Sequence, residues 1–239
     1  KCYFPGGYGI QTLDYAEAMA KTSELLRLEQ VTIYEAAIAT DKLFVRVDIL
    51  IKNGNRLNLH EVKAKSFDPN EENPFLNKNG TIKSNWKHYL YDVAFQKHVI
   101  NRALPQYEVS AYLMMADKSS LCPTDGLNQK FRLAKDSNGR KSVIISDRLT
   151  EADLATPVLC KINVDKECEQ IYTGKDGEND PSMSFKERVD LFAEYYASDM
   201  KIPAPVSKHC AECEFYTTDS DETLGLKSGK KECWKENLG

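Results

Sequence analysis

From Thr12 to Leu28 the chain carries good helix formers without strand-like alternation, and Thr12 stands where an N-cap belongs, so a helix is predicted there. Three β-prone runs follow. Val31–Ala39 ends at the turn pair Thr40-Asp41. Leu43–Lys52 sets Phe44, Arg46 and Asp48 against Val45, Val47 and Ile49, and it ends at Asn53-Gly54-Asn55. Arg56–Lys65 alternates again. Asn-Gly between two alternating runs is a strong hairpin signal, because the favoured two-residue turn needs positive φ. The three runs therefore predict an antiparallel meander.

Ser66–Asn85 holds two prolines and five asparagines with little periodicity, and it reads as a long mobile loop. Trp86–Leu104 then has helical spacing and is ended by Pro105, and Tyr107–Ala116 is a β-run. A helix between two strands is a crossover, which makes the fourth strand parallel to a neighbour. Further on, Phe131–Leu133 and Ser142–Ser146 suggest a hairpin about Asn138-Gly139. Helices are expected near Val164–Tyr172 and Ser184–Met200, the latter with Phe185, Val189, Phe192 and Tyr196 as a core stripe. The fold class is α/β (α+β), a mixed sheet begun by the meander and flanked by helices.

Composition narrows the class without naming a function. The 239 residues are 41% hydrophobic and 28% charged, which excludes fibrous and largely disordered chains. Apolar stretches such as Val109–Ala116 fall far short of the ~20 residues of a membrane helix, so no membrane partner is expected. No charged-then-apolar leader opens the chain, and its first residue is Lys1, as in a fragment or a processed product. Seven cysteines, an odd number spread unevenly, argue against a secreted disulfide framework and for a reducing cytoplasm. The formal net charge is −4, yet Lys42–Arg102 carries 11 Lys and Arg against 6 Asp and Glu. A basic middle in an acidic chain is either a solvated face or a pointer to a phosphate-bearing partner.

Chemistry concentrates on the two runs joined at Gly54. Twelve residues separate Asp48 from Glu61, and Lys63 follows Glu61 by two, so Glu61 and Lys63 share a strand face. Antiparallel pairing brings Asp48 near Glu61. Two carboxylates and an ammonium on one face suit either a hard divalent cation or a salt-bridged surface. A lysine beside such a cation can orient a water and stabilise charge on phosphate. Glu35, on the preceding strand, either adds a third carboxylate or pairs with Arg46 or Lys63. Tyr89, Asp92 and Gln96 share one face of the following helix. His60 is out of phase with Glu61 and is expected to be structural; His88 and His98 have no ligand spacing.

This arrangement resembles the PD-(D/E)XK nuclease superfamily, in particular its RecB-like exonuclease branch. It is similar to an uncharacterised bacterial family of RecB-like proteins, a domain of unknown function. The motifs that carry the resemblance run in order: Phe4–Gly7, Ile33 with Glu35–Ala37, Val45–Leu50, Glu61–Lys63 and Asp92–Gln96. The resemblance implies a restriction-endonuclease-like core and a metal-dependent nuclease, an exonuclease on DNA, working through a metal-bound water. Asp48, Glu61 and the Val62 carbonyl would hold Mg2+ or Mn2+, Lys63 would be the catalytic lysine, and Gln96 would contact DNA or the site. Position 100 is Ile where the helix motif has tyrosine, and the acidic residue of the family's first helix would lie before Phe4. The loop at 66–85 is also longer than usual for the family. A catalytically impaired nucleic-acid-binding module on the same fold is the alternative.

The end of the chain carries His209-Cys210-Ala211-Glu212-Cys213 and then Cys233. A C-x2-C pair can grip one metal or cluster. Several RecB-like nucleases hold an iron–sulfur cluster through one cysteine before the core and three after it. Cys210, Cys213 and Cys233 resemble those three, implying a cluster of the 4Fe-4S type, with Cys2 the only N-terminal candidate for a fourth ligand. Zinc with His209 is the alternative, and a third is that the tail, as a cluster-bearing scaffold, matters more than the fold. Cys122, Cys160 and Cys168 are expected to be buried small hydrophobes. The expected division is a nuclease domain over 1–205 and a cysteine-containing tail over 206–239.

Overall fold

The computed structural model describes residues 1–135, 141–177 and 182–238. Two units are distinguished, Lys1–Val189 and Asp190–Gly239, a division earlier than the expected one near 205. A short strand β1 (Tyr8–Gly9) precedes helix α1 (Tyr15–Leu25). The cap of α1 is Asp14 rather than Thr12: the Asp14 carboxylate accepts from Glu17 N at 2.8 Å, while Thr12 Oγ1 accepts from Asp14 N one turn too early. The meander follows as β2 (Gln30–Thr40), β3 (Leu43–Asn53) and β4 (Arg56–Phe67). Gly54 turns the second hairpin at φ +59°, which glycine adopts without Cβ strain. Helix α2 (Ser84–Ala103) crosses to β5 (Glu108–Asp117), which pairs parallel to β4, as a crossover requires.

The second half adds β6 (Phe131–Lys135) and β7 (Lys141–Ile145), paired as a separate antiparallel hairpin. Its expected Asn138-Gly139 turn lies outside the described residues. A short α3 (Glu151–Leu154) leads to β8 (Leu159–Asn163), which pairs antiparallel to β5. The main sheet is thus mixed and six-stranded, in the order β1-β2-β3-β4-β5-β8. Helices α4 (Asp165–Tyr172) and α5 (Phe185–Ala197) follow, and α6 (Asp219–Thr223) and α7 (Gly229–Leu238) belong to the second unit. No helix of the described residues is long and apolar enough to cross a membrane.

Register organises the core into transverse rows. Ile33, Leu50, Leu59 and Ala111 are cross-strand partners in turn from β2 to β5, and all four are fully buried. Helix α2 lies against β2, β3 and β5 and contributes buried Leu90, Val93 and Ile100. The next row, on the opposite face, is Tyr34, Ile49, His60 and Tyr112. Phe4 packs there, with its ring 5.6 Å from that of His60, and the Tyr34 hydroxyl donates to the Phe4 carbonyl. The Phe-Pro-Gly-Gly segment is thereby tied to the sheet; a Cβ on Gly7 would meet the Tyr34 ring at 2.5 Å.

Three expectations are corrected. Ser66–Asn85 is not simply a loop: β4 runs on to Phe67, α2 starts at Ser84, and Phe75 and Ile82 between them are buried. Phe75 packs on Phe67 and edge-on to Trp86, an aromatic anchor that compensates for missing periodicity. The α5 stripe is core only at Phe185, since Phe192 and Tyr196 are exposed, the latter by 89%. Of the three cysteines expected inside, Cys168 is buried, Cys160 is half-buried and Cys122 is exposed.

Candidate active site

Carrying the register two residues beyond the Ile33–Leu50–Leu59 row sets Glu35, Asp48 and Glu61 opposite one another on β2, β3 and β4. All three strands are irregular at this level. Glu35 has φ +59°, a left-handed conformation uncommon for a residue with a Cβ, and neither it nor Asp48 joins the β2–β3 ladder. The β3–β4 ladder stops at Ile49–His60. The freed Val62 N–H donates instead to Asp48 Oδ2 at 2.8 Å. Against β5 the register of β4 shifts between Val62 and Ser66, taking Lys63 out of the ladder. Carboxylates and a lysine therefore gather where the sheet opens.

Helix α2 closes the cluster. Lys63 Nζ donates to Glu61 Oε1 and to Asp92 Oδ2, each at 2.6 Å. Gln96 Nε2 donates to Glu61 Oε2 at 2.8 Å and to Asp92 Oδ1 at 3.1 Å. The spacing of four between Asp92 and Gln96 puts both over the β4 strand end. The Tyr89 ring centroid lies 5.8 Å from Lys63 Nζ, near enough for a cation–π contact. Glu35 pairs with Arg46 Nε at 3.5 Å, one of its two expected parts, and its charge acts on Asp48. Arg46 is anchored by donating to the Ile10 and Thr12 carbonyls.

Burial raises the pKa of Asp48 above the usual carboxylate value; the Val62 N–H opposes this, and the charges of Glu35 and Asp92 add to it. Burial likewise raises Glu61, against hydrogen bonds from Lys63 and Gln96 and with help from Asp48. For Lys63, burial alone would lower the pKa, but the bonds to Asp92 and Glu61 outweigh it and the net direction is up. Lys63 is thus a cation at neutral pH, not a base. On the other face His60 is buried between Phe4 and Tyr112, and burial lowers its pKa to about 4. It is structural, as its parity implied.

The donor set fits a hard dication. Asp48 and Glu61 supply oxygen only, and each carboxylate oxygen keeps a lone pair beyond the hydrogen bond it accepts. Burial is the main cause that raises both groups, and the smaller part that neighbouring carboxylates add is what a dication would relieve. Among the described residues, no three His, Cys, Asp or Glu side chains already converge as a metal-holding group. That holds for the tail too. Cys210 lies in a 3-10 turn, Lys208–Glu212, with Ser207 N donating to its sulfur at 3.3 Å, and Cys213 directly follows. Cys233 lies on α7, which is tied back by Lys230 N donating to the Phe215 carbonyl and by Asn237 donating to the Ala204 carbonyl. All three thiols are free and half-buried, and the His209 side chain lies outside the described residues.

Two features escaped the sequence. Lys65 Nζ sits 4.1 Å from the Trp86 ring centroid and 4.9 Å from that of Tyr89, beside the cluster. A cleft of about 900 Å3 runs from Asp48, Glu35 and Val62 to Phe131, Val143 and Ile145 on the β6–β7 hairpin. The alternation of Phe131 and Leu133 with Arg132 was the available signal for a two-sided hairpin. Comparison with family models, curated proteins and solved structures finds no match for this chain.

Proposed function

We propose that the chain is a divalent-metal-dependent nuclease with a restriction-endonuclease-like core, a phosphodiester hydrolase acting on nucleic acid, DNA foremost. The observation that carries this reading is the row of Glu35, Asp48 and Glu61 beside a lysine clamped by Glu61 and Asp92. A salt-bridged surface would spread such charges into solvent; here they are drawn together where the ladder is interrupted, at the cost of raised carboxylate pKa values. Asp48, Glu61 and the Val62 carbonyl would hold Mg2+ or Mn2+, which supplies Lewis acidity and an activated water. Lys63 holds its proton and places positive charge where a phosphate oxygen gains negative charge. Asp92 and Gln96 are positioning residues: Asp92 aims the ammonium, and Gln96 fixes both Asp92 and Glu61.

The test is degradation of labelled DNA and RNA, single- and double-stranded, with Mg2+, Mn2+ or chelator. Cleavage that needs the cation and is lost in both Lys63→Ala and Asp48→Asn is the expected result. Binding without cleavage under every condition would favour the impaired binding module. Iron with acid-labile sulfide, lost on Cys213→Ser, is the expected content of an anaerobically purified, longer protein; stoichiometric zinc without sulfide would favour the zinc alternative.

A further inference from the structure

The β6–β7 hairpin has one apolar face. Phe131 pairs with Ile145 and Leu133 with Val143, so these four side chains share a side, while Arg132 and Ile144 take the other. Phe131, Val143 and Ile145 line the cleft that opens on Asp48 and Glu35. Leu133, Val143 and Ile145 are nonetheless exposed, so this face is not spent on the core. Exposed Lys135 continues the same side of β6, and Lys1 lines the cleft.

Resting on the nuclease reading of the acid row, we propose that this hairpin is a base-stacking wall and that the site takes an unpaired strand end. Single-strand sites combine cations that track the backbone with apolar and aromatic surfaces against which bases stack. The wall supplies the second and Lys135 and Lys1 the first. The cleft lies within the roughly 300–1,000 Å3 that receives one small ligand, the scale of one or two nucleotides rather than a duplex. A phosphate on a base held against Phe131 would lie toward Asp48, the acid that lines the same cleft. Bases inside a duplex are stacked on each other and offer the wall nothing.

Fluorescence anisotropy of the full chain with a labelled single-stranded oligonucleotide and its blunt duplex, in chelator, separates binding from cleavage. The single strand should bind at least about tenfold more tightly, and Phe131→Ala or Val143→Asn should remove about tenfold of that affinity. Ile144→Asn, on the hairpin's other face, should leave it unchanged. Equal binding of duplex and single strand, or indifference to Val143→Asn, overturns the wall. So does a Val143→Asn variant that alters only self-association, since the face then belongs to a second copy. Cleavage without any effect of Val143→Asn would sink the wall and leave the nuclease; hairpin-dependent binding without cleavage would do the reverse.

Discussion

Two neighbouring residues of β4 show opposite ways of placing a polar group inside a protein. His60 belongs to the row Tyr34–Ile49–His60–Tyr112, is fully buried, and neither ring nitrogen has a hydrogen-bond partner among the described residues. Its ring lies 4.9 Å from that of Tyr112, nearly parallel, and the fold tolerates it by holding it neutral. Glu61, one residue on and facing the other way, is also buried, yet Lys63 and Gln96 occupy both of its oxygens. One face has used packing; the other has assembled partners from β4 and α2 around charge. Assembled charge is costly unless something uses it, which is why the cluster around Glu61, and not His60, marks the candidate site.

The largest expected effect lies on the charged face. Lys63→Ala should lower cation-dependent cleavage by about a hundred- to a thousandfold, the usual loss when one group facing developing charge is removed. His60→Leu, on the packed face, should leave the cleavage rate at neutral pH within about twofold, since no hydrogen bond is lost and volume is nearly kept. Single-turnover rates for the two variants at saturating substrate decide between them. Equal losses would mean that the two faces are one mechanical unit.

The pH dependence of stability should also have opposite signs on the two faces in the metal-free chain. His60 titrates near 6.5 when unfolded and at about 4 when folded, so the unfolded state takes the proton first. Its contribution is complete above 6.5 and is lost as pH falls toward 4, on the order of 3 kcal/mol. Asp48 and Glu61 are raised in the fold, so they favour folding when protonated, and that contribution is lost as pH rises through the raised values. Urea unfolding from pH 4 to 7 should therefore rise less steeply in His60→Leu than in wild type and more steeply in Asp48→Asn. Parallel curves would show that neither group is perturbed as described.

A smaller effect should follow from adding the cation. At ten times its dissociation constant, Mg2+ or Mn2+ should stabilise the chain by about 1.4 kcal/mol, a rise in Tm of roughly 3–6 °C for a chain of this size. The rise should vanish in Asp48→Asn and persist in His60→Leu. A shift retained in Asp48→Asn would place the cation elsewhere.

The meander and the α2 crossover were readable in the sequence because alternation and Pro105 are local signals, and the hairpin turn at Gly54 was readable too, although it is made by Gly54-Asn55 rather than Asn53-Gly54. Parity also assigned His60 and Glu61 to opposite faces. The packing of Phe75 on Trp86, the capping choice of Asp14 over Thr12, and β8 at the edge depend on partners distant in sequence, and no local pattern announces them. Within the site, Asp48, Glu61 and Lys63 were readable from two strands, and Tyr89, Asp92 and Gln96 from one helix face. That Asp92 grips Lys63 while Gln96 bridges Asp92 and Glu61 was not, since it depends on how far α2 lies over β4. Nor was the break in the ladder at Glu35, whose positive φ follows from the opening of the sheet rather than from any preference of glutamate.

The subtlest expected effect isolates one term of the charged face. Asp48 raises Glu61 through its charge, after burial and alongside Asp92. Asp48→Asn removes that charge with little change in volume, and its amide keeps an oxygen that can accept from Val62 N. The Glu61 pKa should then move down toward the ordinary carboxylate value without reaching it, because the burial and Asp92 remain. NMR titration of the Glu61 carboxyl carbon in both proteins, with chelator present, reads the shift directly. His60→Leu, adjacent in sequence but on the other face, should move it much less. An unchanged Glu61 in Asp48→Asn would mean that the carboxylates do not act on each other and that the row is an accident of register.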